Sequence, residues 1–359
     1  MARMTSDDRN PRRHGKAADT PLGYTAFLAF ACLVALHPQP LAAAPLTLTA
    51  TLKAETLTVS AAGQTVIGYH VGTDLKKPYI WPLTGPLTGK SVTTESSEPY
   101  PHHTSMWFGC DHLNGRDYWH HQVPTGMIRS RGPHIVTDNG EQIVFTDSCD
   151  WLPRDGDTLA EPVLRDYRRI AVRAPDALTR VVDFTIAMLP LTNITITQTN
   201  HSLFALRMTP ELAVTHDGIM VNADGEQGEK ATFGKPSPWM DCYGNRDGMT
   251  EGAAILQHPS NRWYPSPWFT RDYGFFSPTP MQWLTAPLVL PEGVPVILAY
   301  RVIIHAGTSV DAHIAEHFAT YAGETPAAPP GLNADLMERY SSHIEAACHY
   351  VFGESRRHI

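Results

Sequence analysis

The sequence predicts an all-β protein, a large antiparallel β-sandwich with short helices at its C-terminal end. Apolar and polar residues alternate with a period of two in many short runs, and helical periodicity is scarce before Thr308. Thirty prolines and 26 glycines separate these runs, as in proteins whose many short strands are joined by ordered loops. No repeat of fixed length is visible. We therefore expect two packed antiparallel sheets.

The predicted strands follow one another along most of the chain. Residues 46–50 and 52–59 alternate apolar side chains with Thr and Lys, and a turn at residues 61–64 leads into residues 65–71. Two alternating runs on either side of a short turn predict a β-hairpin. Later apolar runs predict further strands at residues 142–145, 168–172, 181–188, 194–198 and 296–304.

Helical patterns are confined to the C-terminal end. A helix capped at residues 308–309 is predicted to run through Tyr321, with Ile314 and Phe318 four residues apart on one face. A proline-rich break follows, and Asn333 can cap a second helix. These two short helices are predicted to be appended to the sandwich.

The first 44 residues have the pattern of an export signal. Five Lys and Arg residues precede the apolar run 24–36, and the small residues 42–44 follow it. The run has 13 residues, fewer than the roughly 20 that a membrane-spanning helix needs. We therefore predict a signal peptide at 1–44, a β-sandwich domain at 45–307 and a C-terminal helical segment at 308–359. The protein is predicted to be exported to a bacterial periplasm, with no membrane insertion after cleavage.

The net charge narrows the class of partner, and the cysteine spacing bears on disulfide and redox chemistry. The formal net charge is −8, and such an acidic body repels phosphate backbones and anionic headgroups. A small neutral or cationic molecule is the expected partner, and nucleic acid is not. Cys110, Cys149, Cys242 and Cys348 follow the predicted signal and form no C-x-x-C pair. Disulfides and buried free thiols both stay open for them.

Residues 99–121 form a segment dense in titratable, hydrogen-bonding and aromatic side chains. It holds five histidines, two tryptophans and three side chains with a carboxylate or an amide. A purely structural segment seldom needs so many titratable and hydrogen-bonding groups beside flat apolar rings. The combination suits a polar small molecule that is stacked, held and protonated.

A second dense segment, residues 258–276, interleaves aromatic, basic and acidic residues with prolines. Because proline fixes φ and removes a hydrogen-bond donor, this segment is predicted to be a rigid loop rather than a strand. Sugar rings present apolar C–H faces that pack on indole, and polar rims that need Asp, Asn, Arg and His. A carbohydrate is therefore the predicted ligand.

The same segments resemble the PmoA-like family, a bacterial family whose members are often exported. The similarity covers about residues 65–307, and it is carried by several ordered motifs: 77–83, 101–103, 107–109, 114–119, 258–262, 267–268, 271–274 and 300–305. The family label borrows a methane-oxidation name, but this chain lacks the repeated membrane spans of that enzyme's subunit. As a fold we expect a β-sandwich that resembles the galactose mutarotase type, a comparison that rests on analogy.

One motif departs from the family pattern. The family's first block commonly reads DHPHH, whereas Pro99 and Tyr100 stand here at the positions of the Asp and the first His. Only Pro101, His102 and His103 match. If the missing pair is catalytic in relatives, this member is altered in activity.

We predict that the two dense segments supply the site. A histidine can move a proton at C1 of a sugar or beside a carbonyl, with a carboxylate or a second histidine as partner. An arginine can stabilise negative charge, and indoles can hold the ring. The predicted catalytic residues are His103, Asp117, His258 and Arg271, and the predicted substrate-binding residues are His102, Trp107, Asn114, Trp119, Arg262, Trp268, Asp272 and Tyr273.

Several of these residues also have a structural interpretation. His102 and His103 are adjacent, so on a strand they would point to opposite faces, and only a loop would bring both to one site. Asn114 is suited to a turn. Arg271 and Asp272 can form a local ion pair that holds their loop.

Three classes of function remain open at this point. The first is an exported enzyme that acts on a sugar or an oxidised sugar derivative by His/Asp proton transfer, as an epimerase, lyase or hydrolase. The second is a noncatalytic carbohydrate-binding protein, and the third is a metal-dependent oxygenase. No cofactor is predicted, but a divalent metal stays open, because the histidines at 102, 103, 112, 120 and 121 and Asp117 offer ligands without a recognisable spacing.

Overall fold

Two β-sheets form most of the part of the chain that the computed structural model describes, residues 44–332 with 335, 336, 338 and 339. The strands are β1 Leu48–Lys53, β2 Thr56–Ala61, β3 Gln64–His70, β4 Tyr79–Leu83, β5 Met106–Cys110, β6 Gly126–Ser130, β7 His134–Asp138, β8 Gln142–Asp155, β9 Thr158–Leu159, β10 Leu164–Arg173, β11 Thr179–Pro190, β12 Ile194–Ile196, β13 Ser202–Arg207, β14 Ile219–Asn222, β15 Trp239–Arg246, β16 Met249–Gln257, β17 Trp268–Arg271, β18 Phe275–Pro278, β19 Leu288–Leu290 and β20 Val296–Ala306. The helices are α1 Gly228–Thr232 and α2 Ile314–Gly323.

Strand pairing is antiparallel throughout the named ladders. The eight-stranded sheet has the order β1-β2-β3-β4-β5-β13-β18-β17. The ten-stranded sheet has the order β14-β15-β16-β20-β11-β10-β8-β6, and β7 and β9 also pair with β8. Strands β12 and β19 form a separate pair. The predicted all-β antiparallel class is confirmed.

The two sheets pack face to face through aromatic rings. Phe108 and Phe204 come from the eight-stranded sheet, and Phe184 and Tyr300 come from the ten-stranded sheet. The ring centroid of Phe204 lies 5.2 Å from that of Phe184 and 4.6 Å from that of Tyr300. All four rings belong to one continuous buried core, which makes the molecule a β-sandwich.

A second aromatic cluster covers the opposite face of the eight-stranded sheet. Trp107, Phe269 and Phe275 alternate with core residues along β5, β17 and β18, so they point away from the sandwich interior. Trp119 and Tyr79 pack beside them. This cluster is the floor of the candidate site described below.

Most predicted strands coincide with observed ones, but two segments differ. The run 52–59 is divided by a tight turn, because Ala54 has a φ of 47° and Lys53 pairs with Thr56 across the turn. The segment 258–276, predicted as loop, contains β17 and the start of β18. β17 is the edge strand of the eight-stranded order. Prolines are tolerated beside an edge strand, because no further strand needs the hydrogen bond that proline cannot donate.

The C-terminal helix α2 starts later than predicted. It begins at Ile314, because Thr308 and Asp311 instead form a hydrogen-bonded turn in which the Asp311 carboxylate accepts from Thr308. Ile314 and Tyr321 are buried on one face of α2, as its periodicity indicates. The predicted cap at Asn333 and the predicted signal peptide lie outside the described residues. Within the described residues, no helix is long and apolar enough to span a bilayer.

The cysteines of the described part are free thiols. Cys110, Cys149 and Cys242 are each buried and unbridged, and Cys348 lies outside the described residues. Burial raises the pKa of Cys110, Cys149 and Cys242. Each of the three thiols therefore behaves as an apolar core side chain.

Candidate functional site

A cavity of about 410 Å³ opens above the outer aromatic cluster of the eight-stranded sheet. Its walls come from the loop before β5, the loop after β5, the turn before β13 and the hairpin β17–β18. The lining residues are Pro99, Tyr100, His102, His103, His120, Gln122, Asn200, His201, Phe269, Arg271, Tyr273 and Phe275. The cavity therefore gathers residues from both dense segments of the sequence, together with three that neither segment contains: Gln122, Asn200 and His201.

The alternation of side chains along β17 decides which aromatic residue reaches the cavity. Trp268 points into the sandwich core, where its indole is fully buried and its Nε1–H donates to the carbonyl of Ser237 at 2.8 Å. Phe269 and Arg271 point to the other face and line the cavity. The prediction that Trp268 stacks on a sugar ring is wrong for this structure, because its side chain has no accessible face.

Trp107 and Trp119 form the floor of the cavity rather than its walls. Their exposures are 2% and 0%, and their rings meet edge to face with centroids 5.0 Å apart. Neither indole offers a face to a ligand, so the predicted stacking role of Trp119 and the predicted substrate contact of Trp107 are wrong for this structure. Their place is to support His103, whose ring stacks on Trp107 at 5.5 Å.

His103 lies in a stack of aromatic rings at the cavity wall. Its ring centroid is 4.7 Å from that of Phe275 and 5.2 Å from that of Tyr100. Burial lowers the pKa of His103 far below the ordinary value, with the neighbouring His102 as the next cause. His103 is therefore a neutral imidazole, suited to hydrogen bonding with a ligand rather than to holding a proton.

His102 reaches the same cavity because the segment is a loop and not a strand. The two adjacent rings lie edge to face with centroids 4.4 Å apart. Burial lowers the pKa of His102 to about 3, and His120 is the next cause. Both ring nitrogens of His102 are buried, and within the described residues neither has a hydrogen-bond partner.

Two further histidines, each held by a carboxylate, complete what we call the histidine wall: His102, His120 and His201. The Nδ1 of His120 lies 2.8 Å from Oδ2 of Asp117. The Nδ1 of His201 lies 3.1 Å from Oδ2 of Asp111. A carboxylate at Nδ1 fixes the tautomer and the orientation of an imidazole, and leaves Nε2 for chemistry.

Asp117 supports the wall from behind and does not line the cavity. Its Oδ1 accepts hydrogen bonds from the backbone N–H groups of Trp119 at 2.7 Å and of His120 at 2.8 Å. Burial by itself would raise the pKa of Asp117, but the hydrogen bonds from His120 and Trp119 outweigh it and lower the pKa to about 2. Asp117 is therefore an ionised positioning residue.

A buried lysine ties together the two loops that carry the wall. The Nζ of Lys77 donates to the carbonyl of His102 at 3.3 Å and to the carbonyl of Trp119 at 2.9 Å. Burial lowers the pKa of Lys77 to about 7, with Lys76 as the next cause. Because one ammonium group bonds a carbonyl in each loop, Lys77 fixes the spacing of the loops before and after β5.

The opposite wall carries Arg271 and Tyr273. Arg271 lies over the ring of Phe269 at 4.1 Å, and its Nη1 donates to Oε1 of Glu229 at 3.0 Å. Asp272 does not pair with Arg271: its Oδ1 accepts from the backbone N–H of Glu229 at 2.7 Å, outside the cavity lining. Asp272 is thus a loop-holding residue, and its predicted contact with substrate is wrong for this structure.

Tyr273 presents a phenol to the cavity. Burial raises the pKa of Tyr273 to about 12, with Tyr100 as the next cause. Its ring lies under the Arg207 guanidinium at 4.3 Å and beside the ring of Tyr100 at 5.0 Å. The predicted position of Tyr273 in the site agrees with the geometry, and the phenol stays protonated as a hydrogen-bond donor.

Three further predicted site residues also lie away from the cavity. His258 is 5% exposed; its Nδ1 accepts from Ser260, and its Nε2 lies 3.0 Å from the carbonyl of Glu324 after α2. Arg262 lies over the ring of Trp263 at 5.6 Å, outside the cavity lining. The catalytic prediction for His258 is wrong for this geometry, because its Nδ1 is bonded to Ser260 and its Nε2 contacts the carbonyl that follows the C-terminal helix.

Asn114 is the third, and it serves a turn. It has a φ of 50°, and its Oδ1 accepts from the backbone N–H of Thr195 at 2.7 Å. The structural interpretation of this Asn-Gly pair therefore describes the observed contact. The predicted binding role of Asn114 is not supported, since its side chain faces the pair β12–β19.

Sequence reasoning missed His201, Asn200 and Asp111. His201 and Asn200 precede β13, which pairs with β5 and so brings them beside His120. Asp111 follows β5 directly, and its spacing from the other carboxylate gives no local signal. Only the pairing of β5 with β13, two strands about 90 residues apart in sequence, creates the second His–carboxylate pair.

A model of a family of unknown function, DUF6807, matches residues 56–319 of this sequence. The chain belongs to this family. The residues of the cavity all fall inside the matched range. No curated protein sequence matches the chain significantly.

Two solved structures are similar to this DUF6807 chain at low TM-scores. One is a polysaccharide lyase, with 12% identity and a TM-score of 0.28, over 76% of this chain and 34% of the lyase. The chain thus spans about a third of that protein's length. Another is a protein from Klebsiella pneumoniae subsp. pneumoniae assigned as an aldose 1-epimerase, with 9% identity and a TM-score of 0.34, over 80% of this chain and 90% of that chain.

Membership of DUF6807 leaves the predicted resemblance to the PmoA-like family untested. The family description names no activity.

Proposed function

We propose that this DUF6807 member is an exported enzyme that moves a proton on a sugar or an oxidised sugar derivative. One observation carries the proposal: two carboxylate-held histidines, His120 and His201, face a cavity of about 410 Å³. A carboxylate behind an imidazole is the arrangement that general acid–base catalysis uses. Export rests on the N-terminal charge and hydropathy pattern.

The cavity suits a small neutral ring with a polar rim. Its volume lies within the range of about 300–1,000 Å³ that is usual for small-molecule sites. Phe269, Phe275 and the rings of Tyr100 and Tyr273 give it flat apolar surface. Imidazoles, phenols and a guanidinium supply donors and acceptors around that surface, which is the pattern that a carbohydrate ring requires.

The two sides of the cavity divide the chemistry. On the histidine wall, Nε2 of His120 can accept a proton from a hydroxyl or from a carbon beside a keto group. Asp117 then stabilises the imidazolium through Nδ1–H, and the same proton returns to substrate at the end of the cycle. On the other side, Arg271 and Tyr273 can donate to the oxygen on which negative charge develops.

His103 holds the ring between these two sides. As a neutral imidazole stacked on Phe275, it can donate or accept one hydrogen bond without a change of charge. Its removal is therefore expected to weaken binding as well as turnover. This assigns His103 a binding role beside the proton-moving role of the histidine wall.

The proposal is tested by proton NMR of the purified protein with a panel of ordinary and keto sugars in D₂O. Wild type should convert one of these sugars or incorporate deuterium at one carbon. His120→Ala should be slower by at least about 100-fold, the usual scale of acid–base catalysis. His258→Ala is the matched control, because it removes a buried histidine outside the cavity.

Two results would contradict the proposal that the protein is an enzyme. Saturation-transfer contact to a sugar without turnover would make the protein a carbohydrate-binding module built on the same aromatic surface. Neither contact nor turnover with any member of the panel would remove the carbohydrate assignment altogether.

A further inference from the structure

We propose that the histidine wall binds a divalent transition-metal ion of the zinc class through one ring nitrogen each of His102, His120 and His201. Ring nitrogens of the three side chains lie within 4.8 Å of one another. Ligands of one tetrahedral zinc ion at 2.1 Å stand about 3.4 Å apart, so a small closure of the three rings suffices. The inference rests on the proposed function, because it names the cofactor of the same cavity.

The carboxylates behind the wall are the first supporting observation. Nδ1 of His120 contacts Asp117 at 2.8 Å, and Nδ1 of His201 contacts Asp111 at 3.1 Å. Histidines that bind metals commonly donate their other ring N–H to a carboxylate, which fixes the ring and raises the basicity of the ligating nitrogen. Two such pairs side by side leave two Nε2 atoms free to ligate. Asn200 approaches one of them, at 3.5 Å from Nε2 of His201.

His102 provides the second, independent observation. It is 5% exposed, and within the described chain neither of its buried ring nitrogens has a hydrogen-bond partner. A buried polar group without a partner costs free energy, and a native structure seldom keeps one without a use. Its ring centroid lies 4.5 Å from that of His120 and 6.3 Å from that of His201. A metal ion between the three rings would satisfy this group.

The charge balance also favours a cation. Asp111 and Asp117 place two carboxylates directly behind the wall, and Oδ2 of Asp111 lies 4.0 Å from Nδ1 of His120. Lys76 lies beside one of them, with its Nζ 4.0 Å from Oδ1 of Asp117, but that Nζ also donates to two backbone carbonyls. The carboxylates therefore remain available to stabilise a positive charge on the far side of the imidazoles.

Three imidazoles with an open side facing a cavity are the donor set of a catalytic metal rather than of a structural one. Structural zinc sites are closed by four protein ligands, whereas catalytic sites keep one position for water or substrate. Here the open side faces the cavity, and Tyr273 and Arg271 also line that cavity. A bound ion would supply an acidified water at this open position as the acceptor of the substrate proton, in place of the nitrogen of His120.

The test measures metal binding directly. Chelator-treated protein is titrated with Zn²⁺ in a calorimeter, and the same protein is loaded with Co²⁺ to record its visible absorption and its shifted imidazole N–H proton signals. We expect one Zn²⁺ per chain and shifted signals from three histidines. Asp111→Asn, which keeps the ligands, should weaken the affinity by about 10- to 100-fold.

Matched variants decide whether the wall is the site. His201→Ala should weaken the affinity by more than Asp111→Asn does, whereas His258→Ala should leave it unchanged. Failure to take up stoichiometric Zn²⁺, or affinity that is the same in His201→Ala, would overturn the inference. If a variant fails to fold, the Co²⁺ spectrum of wild type still decides the question. The absence of shifted imidazole signals from wild type would also overturn the inference.

The two proposals fail in different ways. Turnover of a sugar that survives complete removal of metal would overturn the metal inference and leave the proposed function intact. Stoichiometric binding of Zn²⁺ by the three histidines, without conversion of any sugar, would support the metal inference and contradict the enzyme.

Discussion

At the scale of single residues, side chains that are close in sequence have different roles, because they form hydrogen bonds with different parts of the structure. Asp117 accepts three hydrogen bonds and orients His120, whereas Asn114, three residues earlier, holds a turn against Thr195. A carboxylate that accepts several hydrogen bonds while buried is expected to be both ionised and costly to replace.

The first prediction concerns Asp117. Asp117→Asn removes a charge-assisted hydrogen bond to His120, so we expect a loss of about 1–3 kcal/mol in the free energy of unfolding. Turnover of the sugar identified by NMR should fall as well, because His120 loses its orientation. Urea unfolding and the NMR rate measure the two effects.

The control for this variant is Asp155→Asn. Asp155 forms a surface ion pair with Arg116 at 2.5 Å and is exposed. Exposed pairs contribute little, so neither stability nor turnover should change measurably. If Asp117→Asn behaves like Asp155→Asn, the positioning role of Asp117 is refuted.

At the scale of elements, the period of two along a strand sorts the aromatic residues between core and cavity. On β17 the sorting separates Trp268, in the core, from Phe269, at the cavity. A shift of one residue in the register of β17 would exchange them. The pairing of Thr270 with Phe276 and of Arg271 with Phe275 fixes that register.

The second prediction follows from this sorting. Trp268→Ala should cost about 3–5 kcal/mol of stability, because it empties a large volume in the core. Phe269→Leu should change stability by less than about 1.5 kcal/mol but weaken binding of the ligand. Thermal unfolding and ligand titration of the folded protein separate the two outcomes, and a stable Trp268→Ala that has lost only affinity would contradict the sorting.

The helix α2 is attached to the sandwich by polar contacts as well as by its apolar face. His258 contacts the carbonyl of Glu324, and the Arg301 guanidinium makes a two-point ion pair with the Glu324 carboxylate at 3.0 and 2.7 Å. Arg301 also contacts Asp183 on the neighbouring strand. These contacts define His258 as a structural residue.

The third prediction tests that assignment. His258→Ala should lower the free energy of unfolding by about 1–3 kcal/mol, since it leaves the Glu324 carbonyl and Ser260 without a partner. The rate of sugar turnover should stay within about twofold of wild type, because the side chain lies outside the cavity. A selective loss of turnover with unchanged stability would restore His258 to the site.

At the scale of the whole molecule, the ten-stranded sheet carries a buried ion pair that couples stability to pH. His305 on β20 lies 3.0 Å from Asp241 on β15, and both side chains are fully buried. Burial by itself would lower the pKa of His305, but Asp241 outweighs it and raises the pKa above 6.5. The folded state therefore binds a proton that the unfolded state releases at neutral pH.

The fourth prediction gives the sign of this coupling. The stabilisation is present in full below about pH 6.5, the pKa of an unfolded histidine, and is lost as pH rises through the raised pKa of the folded state. Urea unfolding at about pH 6 and about pH 9 should show wild type less stable at the higher pH.

The control for the pH effect is Asp241→Asn. Without the carboxylate, nothing offsets the burial that disfavours the charged form of His305. The part of the pH dependence of stability that comes from this pair should therefore disappear. His313→Gln serves as a matched surface variant, because His313 and its partner Glu316 are both 72% exposed. An unchanged pH dependence in Asp241→Asn would refute the coupling.

The sequence by itself determined the fold class and the region of the site. Alternation with a period of two predicts strands, because a half-buried strand must place every second residue in the core, and this signal is local. The clustering of His, Asp and aromatic residues at 99–121 likewise identified a chemical segment. His102, His103, Arg271 and Tyr273 were predicted in the site, and all four line the cavity.

Only the tertiary structure decided which side chains meet there. His201 and its partner Asp111 come together beside His120 because β5 pairs with β13, and Trp268 lies outside the cavity because its position on β17 faces the core. A sequence records which residues are near in the chain, whereas a site depends on strand pairing, register and the face that each side chain takes. Those quantities are set by the packing of the two sheets as a whole, and no single segment contains them.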